Sequence, residues 1–241
     1  MVERAASATS PGEVLRSLVF YFVFYFGSAG LVMVALIALA FSPDRFRAIA
    51  DGWSAYHRFC TRYLIGIRIV VTGALPAGPL LVACKHESFF EAIDMPNIVA
   101  NPSVFAKAEL MRIPLWGRAA AAYGLISVAR EQGARTLRVM VAAARVLSAE
   151  GRPLVIFPEG TRVPHGQRPP LQAGFAGLYK LLDLPVVPVA VVSGVIYHRR
   201  WKRRGVIQVA IGEPIPPGLS RDDIERRVHA AINALNGEQA A

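Results

Sequence analysis

The stretch Lys85-His86-Glu87-Ser88-Phe89-Phe90-Glu91-Ala92-Ile93-Asp94 sets one histidine and three carboxylates within nine residues, His86 to Asp94. A histidine within reach of a carboxylate is the commonest way to make a base near neutral pH. The apolar run Leu80–Cys84 before it reads as a buried strand and the residues after it as a helix. His86 is thereby expected at a strand-to-helix turn, where open α/β sheets place their ligands. Ser88-x-x-Glu91 matches a capping box, which gives Glu91 a purely structural use. The chemical alternative is that Glu91 accepts the His86 Nδ1–H and leaves Nε2 as a free base. Residues five apart on one helix point about 140° apart. The pair can meet only with His86 in the loop ahead of the helix, and the capping-box placement supplies that. Glu87, next to His86 in the loop, and Asp94, about two turns down the helix, are weaker partners.

A second cluster, Phe157-Pro158-Glu159-Gly160-Thr161-Arg162, follows the apolar run Leu154–Phe157 and so sits at another strand end. Gly160 can take backbone angles that other residues avoid, and Arg162 offers a planar fork for phosphate. Alone, such a turn is a common surface loop. On the same sheet edge as a histidine turn, it reads as a phosphate pocket.

These two clusters together resemble the signature of the glycerolipid acyltransferase family, a His-x4-Asp box followed downstream by Phe-Pro-Glu-Gly-Thr-Arg. The similarity extends to Lys107-Ala108-Glu109-Leu110 with Ile113-Pro114 and Gly117, to Gly124-x-Ile126-x-Val128-x-Arg130, and to Val187-Pro188-Val189-Ala190. It covers about residues 80–195. The family's aspartate position is Glu91 here, which keeps the carboxylate and lengthens the side chain by one methylene.

The resemblance implies transfer of a fatty acyl group from an acyl thioester, acyl-CoA or acyl carrier protein, to the free hydroxyl of a lysophospholipid. The foremost acceptor is 1-acyl-glycerol-3-phosphate, giving phosphatidic acid. His86 would be the general base and Glu91 its orienting partner. Arg162, with Lys107 and Arg130 as helpers, would hold the acceptor phosphate, and Glu159, Gly160 and Thr161 would shape that loop. No metal or cofactor is implied beyond the acyl donor itself. Glycerol-3-phosphate or a lyso-ornithine lipid are alternative acceptors. A non-catalytic lipid-binding protein on the same fold is the alternative from another class, and it would have no need of the base.

The elements that must position these residues are read from periodicity. Short apolar runs at Leu80–Cys84, Val104–Ala106, Leu125–Val128, Leu154–Phe157, Val186–Val192 and Val206–Ile211 predict strands. They alternate with helical patterns over Ser88–Ala100, Leu115–Tyr123, Gly133–Ala149, Gln172–Leu182 and Arg221–Leu235. That alternation predicts an α/β fold, a mostly parallel central sheet flanked by helices. The acyltransferase α/β domain would occupy residues 69–241. His165 and His229 show no convincing partner in the sequence.

Residues 1–16 read as a loose N-terminus, and 17–68 as a membrane helix or helical hairpin followed by an amphipathic helix. From Leu18 to Phe41 run 24 uncharged residues, enough to cross a hydrocarbon core of about 30 Å. A hairpin bent at Gly27-Ser28-Ala29-Gly30 is the second reading. Between Asp44 and Arg68 the aromatic and aliphatic residues recur at helical spacing, flanked by Arg45, Arg47, Arg58 and Arg62, as in a helix lying in a membrane interface. An ordinary amphipathic cover for the core is the equal alternative. These four arginines outnumber Arg4 and Arg16 before the apolar run, which predicts a catalytic domain on the cytoplasmic face of the inner membrane.

Of the 241 residues, 54% are hydrophobic, and the formal net charge is +10. A basic, apolar chain points to anionic lipid as neighbour. Neither a zinc-ligand spacing nor an RNA-binding aromatic motif is present, so nucleic acid is not an expected partner. Membrane phospholipids are, and the basic segment His198-Arg199-Arg200-Trp201-Lys202-Arg203-Arg204 is read as a contact for their head groups or for an acidic acyl carrier protein, ahead of a solvated loop. Cys60 and Cys84 do not form a disulfide framework.

Overall fold

A computed structural model describes residues 9–128 and 133–237 of the chain. It opens with two helices packed side by side. α1 (Pro11–Phe41) begins within the stretch expected to be loose, because Ser10-x-x-Glu13 is itself a capping box. Ser10 Oγ accepts the Glu13 N–H, and the Glu13 carboxylate accepts the Ser10 N–H. α1 continues unbroken through Gly27-Ser28-Ala29-Gly30, so the hairpin of the second reading does not bend there. The chain instead reverses at Ser42, which caps the end of α1 and the start of α2 (Pro43–Cys60). Pro43 sits at the first helical position, where its missing N–H loses nothing. Tyr56 Oη donates to the Val23 carbonyl at 2.6 Å, and Trp53 Nε1 donates to Ser28 Oγ at 2.9 Å. Gly27 makes this approach possible, since a Cβ there would collide with the Tyr56 hydroxyl.

α1 is long and apolar enough to cross a membrane. Its inner face packs on the domain through Phe20 and Phe24, while Phe22, Phe26 and Phe41 are 73, 76 and 85% exposed. Burying the two inner rings stabilises the fold by about 1.5–3 kcal/mol each. Arg58 of α2 turns inward and grips Asp94 at 2.8 and 2.5 Å.

A π-helical turn, Thr61–Ile65, extends α2 and leads into β1 (Ile67–Thr72). The helical reading of the sequence ran through Arg68 and missed this strand. β1 is an edge strand whose outer residues are exposed, so its alternation lacks a clear apolar face. There follow β2 (Leu81–Cys84), α3 (Phe89–Ile98), β3 (Ser103–Lys107), short α4 (Ala108–Met111), α5 (Trp116–Tyr123) and β4 (Ile126–Val128). The chain continues through α6 (Gly133–Ala149), β5 (Leu154–Ile156), α7 (Gly174–Leu182), β6 (Val186–Val192), one-turn α8 (Gly194–Tyr197), β7 (Gly205–Ile211) and α9 (Arg221–Ile232).

The seven strands form one sheet in the order β1-β7-β6-β2-β5-β3-β4, parallel throughout except for the antiparallel β6–β7 pair. The fold is therefore the mostly parallel α/β class expected. β2 lies at the centre with all four residues buried. Its Val82 and Cys84 face a core shared with α1, α2 and α3, and its Leu81 and Ala83 face a second core under α6, α7 and α9.

The first core contains a buried polar pair. His57 packs among Phe20, Phe24, Phe90 and Tyr197, with Nε2 2.7 Å from the Tyr197 hydroxyl. Burial foremost, then the nearby charges of Lys202 and Arg58, lowers the His57 pKa from 6.5 to about 3. Between those values the unfolded chain binds a proton that the folded chain does not. The stability contributed here is complete above pH 6.5 and is lost as pH falls toward 3, with on the order of 3 kcal/mol gone by pH 4. Urea unfolding in detergent micelles at pH 7 and pH 4 should show a steeper acid loss in the native protein than in His57→Gln. Equal losses would contradict the assignment.

Candidate active site

β5, β2 and β6 are adjacent and parallel, so the loops that follow them meet at one edge of the sheet. The loop after β2 carries His86, the loop after β5 carries Phe157–Arg162, and the residue after β6 is Ser193. Residues some seventy to a hundred positions apart are brought together by strand order alone, at the edge where parallel sheets bind ligands.

His86 precedes the N-cap of α3, Ser88, as the capping pattern requires. Its imidazole stacks on Phe157 with ring centroids 4.3 Å apart, and its Nδ1 lies 3.6 Å from Glu91 Oε2. That is a close ion-pair distance but too long for a hydrogen bond. Catalytic hydrogen bonds are often this long without substrate and tighten when it binds. Glu91 is fully buried, and its Oε2 accepts the Ser88 N–H at 3.0 Å. The capping oxygen and the oxygen facing His86 are the same atom, so the two readings of Glu91 are compatible. Its other oxygen, Oε1, accepts a short hydrogen bond from the Ser193 hydroxyl.

The other two carboxylates of the turn are spent elsewhere. Glu87 Oε2 accepts the N–H groups of Ser193 and Gly194 at 2.9 and 2.8 Å, and Oε1 meets His165 Nδ1 at 2.8 Å. Asp94 is bound to Arg58 and to Asn97, and burial, opposed by Arg58 and Asn97, raises its pKa above the usual carboxylate range. His165 thus has the partner that the sequence did not reveal. His229 also has one, its Nε2 lying 3.1 Å from the Pro169 carbonyl.

The expected phosphate loop divides into two groups. Glu159 turns away from solvent. It is 2% exposed, its Oε1 receives Lys85 Nζ at 2.6 Å and its Oε2 receives the His86 N–H at 3.2 Å. Glu159 therefore shapes the loop from beneath, its charge claimed by a buried cation, and does not line the groove. Lys85 Nζ also donates to the Gln167 carbonyl and to Asn233 Oδ1, so the buried pair has its hydrogen bonds met. The Val163 N–H donates to the His86 carbonyl at 2.7 Å. His86 is therefore held through both its backbone groups by the loop 159–163.

Gly160, with φ +67°, makes the turn that a side chain would strain. Thr161 and Arg162 follow, both exposed. The Arg162 guanidinium lies 4.0 Å over the Phe89 ring, which holds it beside the first turn of α3. Lys107, at the end of β3, is exposed on the same groove. Arg130 lies outside the described residues.

His86, Gly160, Thr161, Arg162 and Lys107 border a groove of about 1370 Å³. Away from these groups its walls are apolar, formed by Leu31 and Ala35 of α1, Trp53 of α2, Ile93 of α3 and Leu110 and Trp116 beyond. The arrangement places a histidine, cationic groups and a long apolar recess in one continuous space that reaches the membrane-type helix.

The basic segment after α8 is not a free loop. Lys202 is buried, its Nζ donating to the Tyr197 carbonyl at 2.9 Å and lying 3.7 Å from the Tyr197 ring centroid. Burial lowers its pKa from 10.5 to about 8. Arg203 pairs with Glu13 at 3.3 Å, and Tyr21 Oη donates to the Arg200 carbonyl at 2.6 Å. Much of the segment therefore fastens the foot of α1 to the domain.

The chain belongs to the Acyltransferase family, whose model matches residues 68–192. Among curated relatives, it is 29% identical over 230 residues to the 1-acyl-sn-glycerol-3-phosphate acyltransferase of Pseudomonas aeruginosa, covering 92% of this chain and 87% of that protein. It is 31% identical over 171 residues to the 1-acyl-sn-glycerol-3-phosphate acyltransferase alpha of Homo sapiens, covering 68% of this chain and 60% of that one. The crystal structure of the 1-acyl-sn-glycerophosphate (LPA) acyltransferase PlsC from Thermotoga maritima shares its fold, with a TM-score of 0.71 over 95% of this chain and all of that one, at 20% identity.

Proposed function

We propose that this enzyme transfers a fatty acyl group from an acyl thioester, CoA or acyl carrier protein, to the free hydroxyl of 1-acyl-glycerol-3-phosphate, giving phosphatidic acid. The observation that carries the reading is the His86–Glu91 pair at the polar end of an apolar groove, with Arg162 and Lys107 on the same border. The names of the relatives point to the same acceptor.

The acceptor hydroxyl gives its proton to His86 Nε2 as its oxygen attacks the thioester carbonyl. The tetrahedral oxyanion collapses, the carbon–sulfur bond breaks, and the thiolate takes the proton back from the imidazolium. Glu91, buried and held by Ser88 and Ser193, keeps a negative charge beside Nδ1 while the imidazolium exists. Acyl transfer is direct, without a metal or a covalent acyl-enzyme. The apolar recess takes an acyl chain, and the fork of Arg162 takes the phosphate.

The catalytic domain sits at the cytoplasmic face of the inner membrane, with α1 and α2 immersed in the facing leaflet. What supports this seating is the one-sided exposure of α1, whose inner face is covered by the domain. A lysophospholipid could then enter the groove from the bilayer without crossing water.

Arg162→Ala tests the acceptor. It should raise KM for 1-acyl-glycerol-3-phosphate by about 10- to 100-fold, with kcat changed by only a few-fold, because uniform binding is lost and the base is intact. KM for the acyl donor should not move. An unchanged acceptor KM would rule out Arg162 as the phosphate ligand. A panel with glycerol-3-phosphate and lyso-ornithine lipid, read in the same assay, ranks the alternatives.

A further inference from the structure

A second pocket lies outside the groove. It has a volume of about 430 Å³ and is lined by Arg62, Tyr63, Gly66, Arg68, Arg204 and Val206, with Gly205 between the last two. No Asp or Glu lines it. None of its three arginines has a carboxylate partner among the described residues, although carboxylates hold Arg58 and Arg203 nearby. Like charges gathered without a counter-charge repel, so such a cluster is matched to an anion.

The pocket is built into the fold. Gly66, at φ +88°, closes the π-helical turn, and a Cβ there would approach Arg204 Nε to 2.9 Å. The missing side chain lets Arg204 lie across the turn toward Arg62 and Arg68. The register Ile67↔Gly205 and Arg68↔Val206 fixes Arg68 and Arg204 on neighbouring strand ends.

Its location points to a bilayer. β1 runs with β7 and against β6 and β2, so the pocket opens on the sheet edge that carries His86. Three strand spacings separate the two sites, roughly 15 Å. Phe59 and Tyr63, 54 and 65% exposed, pair with ring centroids 4.8 Å apart beside Arg62. The foot of α1, held by Arg203 and by the Arg200 carbonyl, adjoins Arg204. Exposed aromatics beside arginines, next to an apolar helix face, mark the level of lipid head groups.

We propose that Arg62, Arg68 and Arg204 bind the phosphate of an anionic phospholipid head group, at a site separate from the acceptor site. The site draws the enzyme to negatively charged membrane and sets its tilt there, beyond what the apolar face of α1 supplies. It rests on the membrane seating proposed above and not on the acyl-transfer chemistry.

Sedimentation of the full chain with vesicles tests it, comparing pure phosphatidylcholine with phosphatidylcholine containing phosphatidylglycerol. The native protein should bind both and prefer the anionic vesicles. Arg62→Gln/Arg68→Gln/Arg204→Gln should keep its binding to phosphatidylcholine and lose most of the preference, about fivefold per arginine and so roughly 100-fold in all. Arg221→Gln/Arg226→Gln/Arg227→Gln on α9, with the same loss of charge, should keep the preference. Activity on a short-chain, water-soluble acceptor should be unchanged in both. Equal losses in the two triple variants would reduce the site to net charge and overturn it, as would a preference intact in the first. A first variant that keeps its lipid preference but no longer accepts acyl carrier protein thioesters would assign the pocket to that protein instead. Native protein that binds neither vesicle would refute the seating itself.

Discussion

His86→Ala should lower kcat/KM for acyl transfer by about 1000-fold, within the range a positioned general base supplies. Without it the acceptor hydroxyl must attack while still protonated. The loss should come without unfolding or release from the membrane. In the resting structure the side chain contributes a ring stack on Phe157 and an unclosed 3.6 Å approach to Glu91. The strong attachments of residue 86 are its backbone bonds to Glu159 and Val163, which alanine keeps. Rate measurements at saturating donor, with the urea midpoint read on the same preparation, separate the two effects. A variant with near-native rates would remove His86 as the base. A variant that unfolds would show that the ring's packing had been underestimated.

Glu91 is the second large expectation, and three substitutions divide its duties. Glu91→Ala removes the charge beside His86 and the acceptor for the Ser88 N–H. It should lower kcat by about 100-fold or more and stability by about 1–2 kcal/mol. Glu91→Gln keeps an oxygen for the cap and removes the charge, so kcat should fall comparably while stability changes little. Glu91→Asp keeps the charge on a shorter stem and should retain activity to within about tenfold, well below the loss from removing the charge. The measurements are kcat and the unfolding midpoint for each variant. If Gln were as active as the native residue, Glu91 would be only a cap. A common loss of stability and rate in all three would mean that the rate follows the fold.

The site was legible in the sequence to the extent that its signals were local. Ser88 and Glu91 lie three apart, so the capping box and the placement of His86 before it could be read directly. The strands that carry the site were also readable, because β2 and β6 are buried on both faces and form unbroken apolar runs. What escaped depends on strand order. Glu87, Glu91 and Asp94 look alike in a linear chain. Only the packing of β6 beside β2 assigns Glu87 to the Ser193 turn, and only the approach of α2 to α3 assigns Asp94 to Arg58. The partner of Glu159 was hidden for the same reason, since its buried cation, Lys85, lies just after β2 and 74 residues earlier in the chain. Ser193 had one faint signal, its place immediately after a seven-residue apolar strand. The edge strand β1 had less, because half-exposed strands keep little hydrophobic contrast.

The most direct measurement is the identity of the lipid product. Purified enzyme is given 1-acyl-glycerol-3-phosphate and an acyl-CoA with an isotopically labelled chain, and the lipids are analysed by mass. Direct transfer with His86 as base predicts phosphatidic acid carrying one labelled chain, formed in step with free CoA thiol, and both products formed about 1000-fold more slowly by His86→Ala. Thiol released with labelled free fatty acid and no phosphatidic acid, or labelled phosphatidic acid formed equally by His86→Ala, would contradict it.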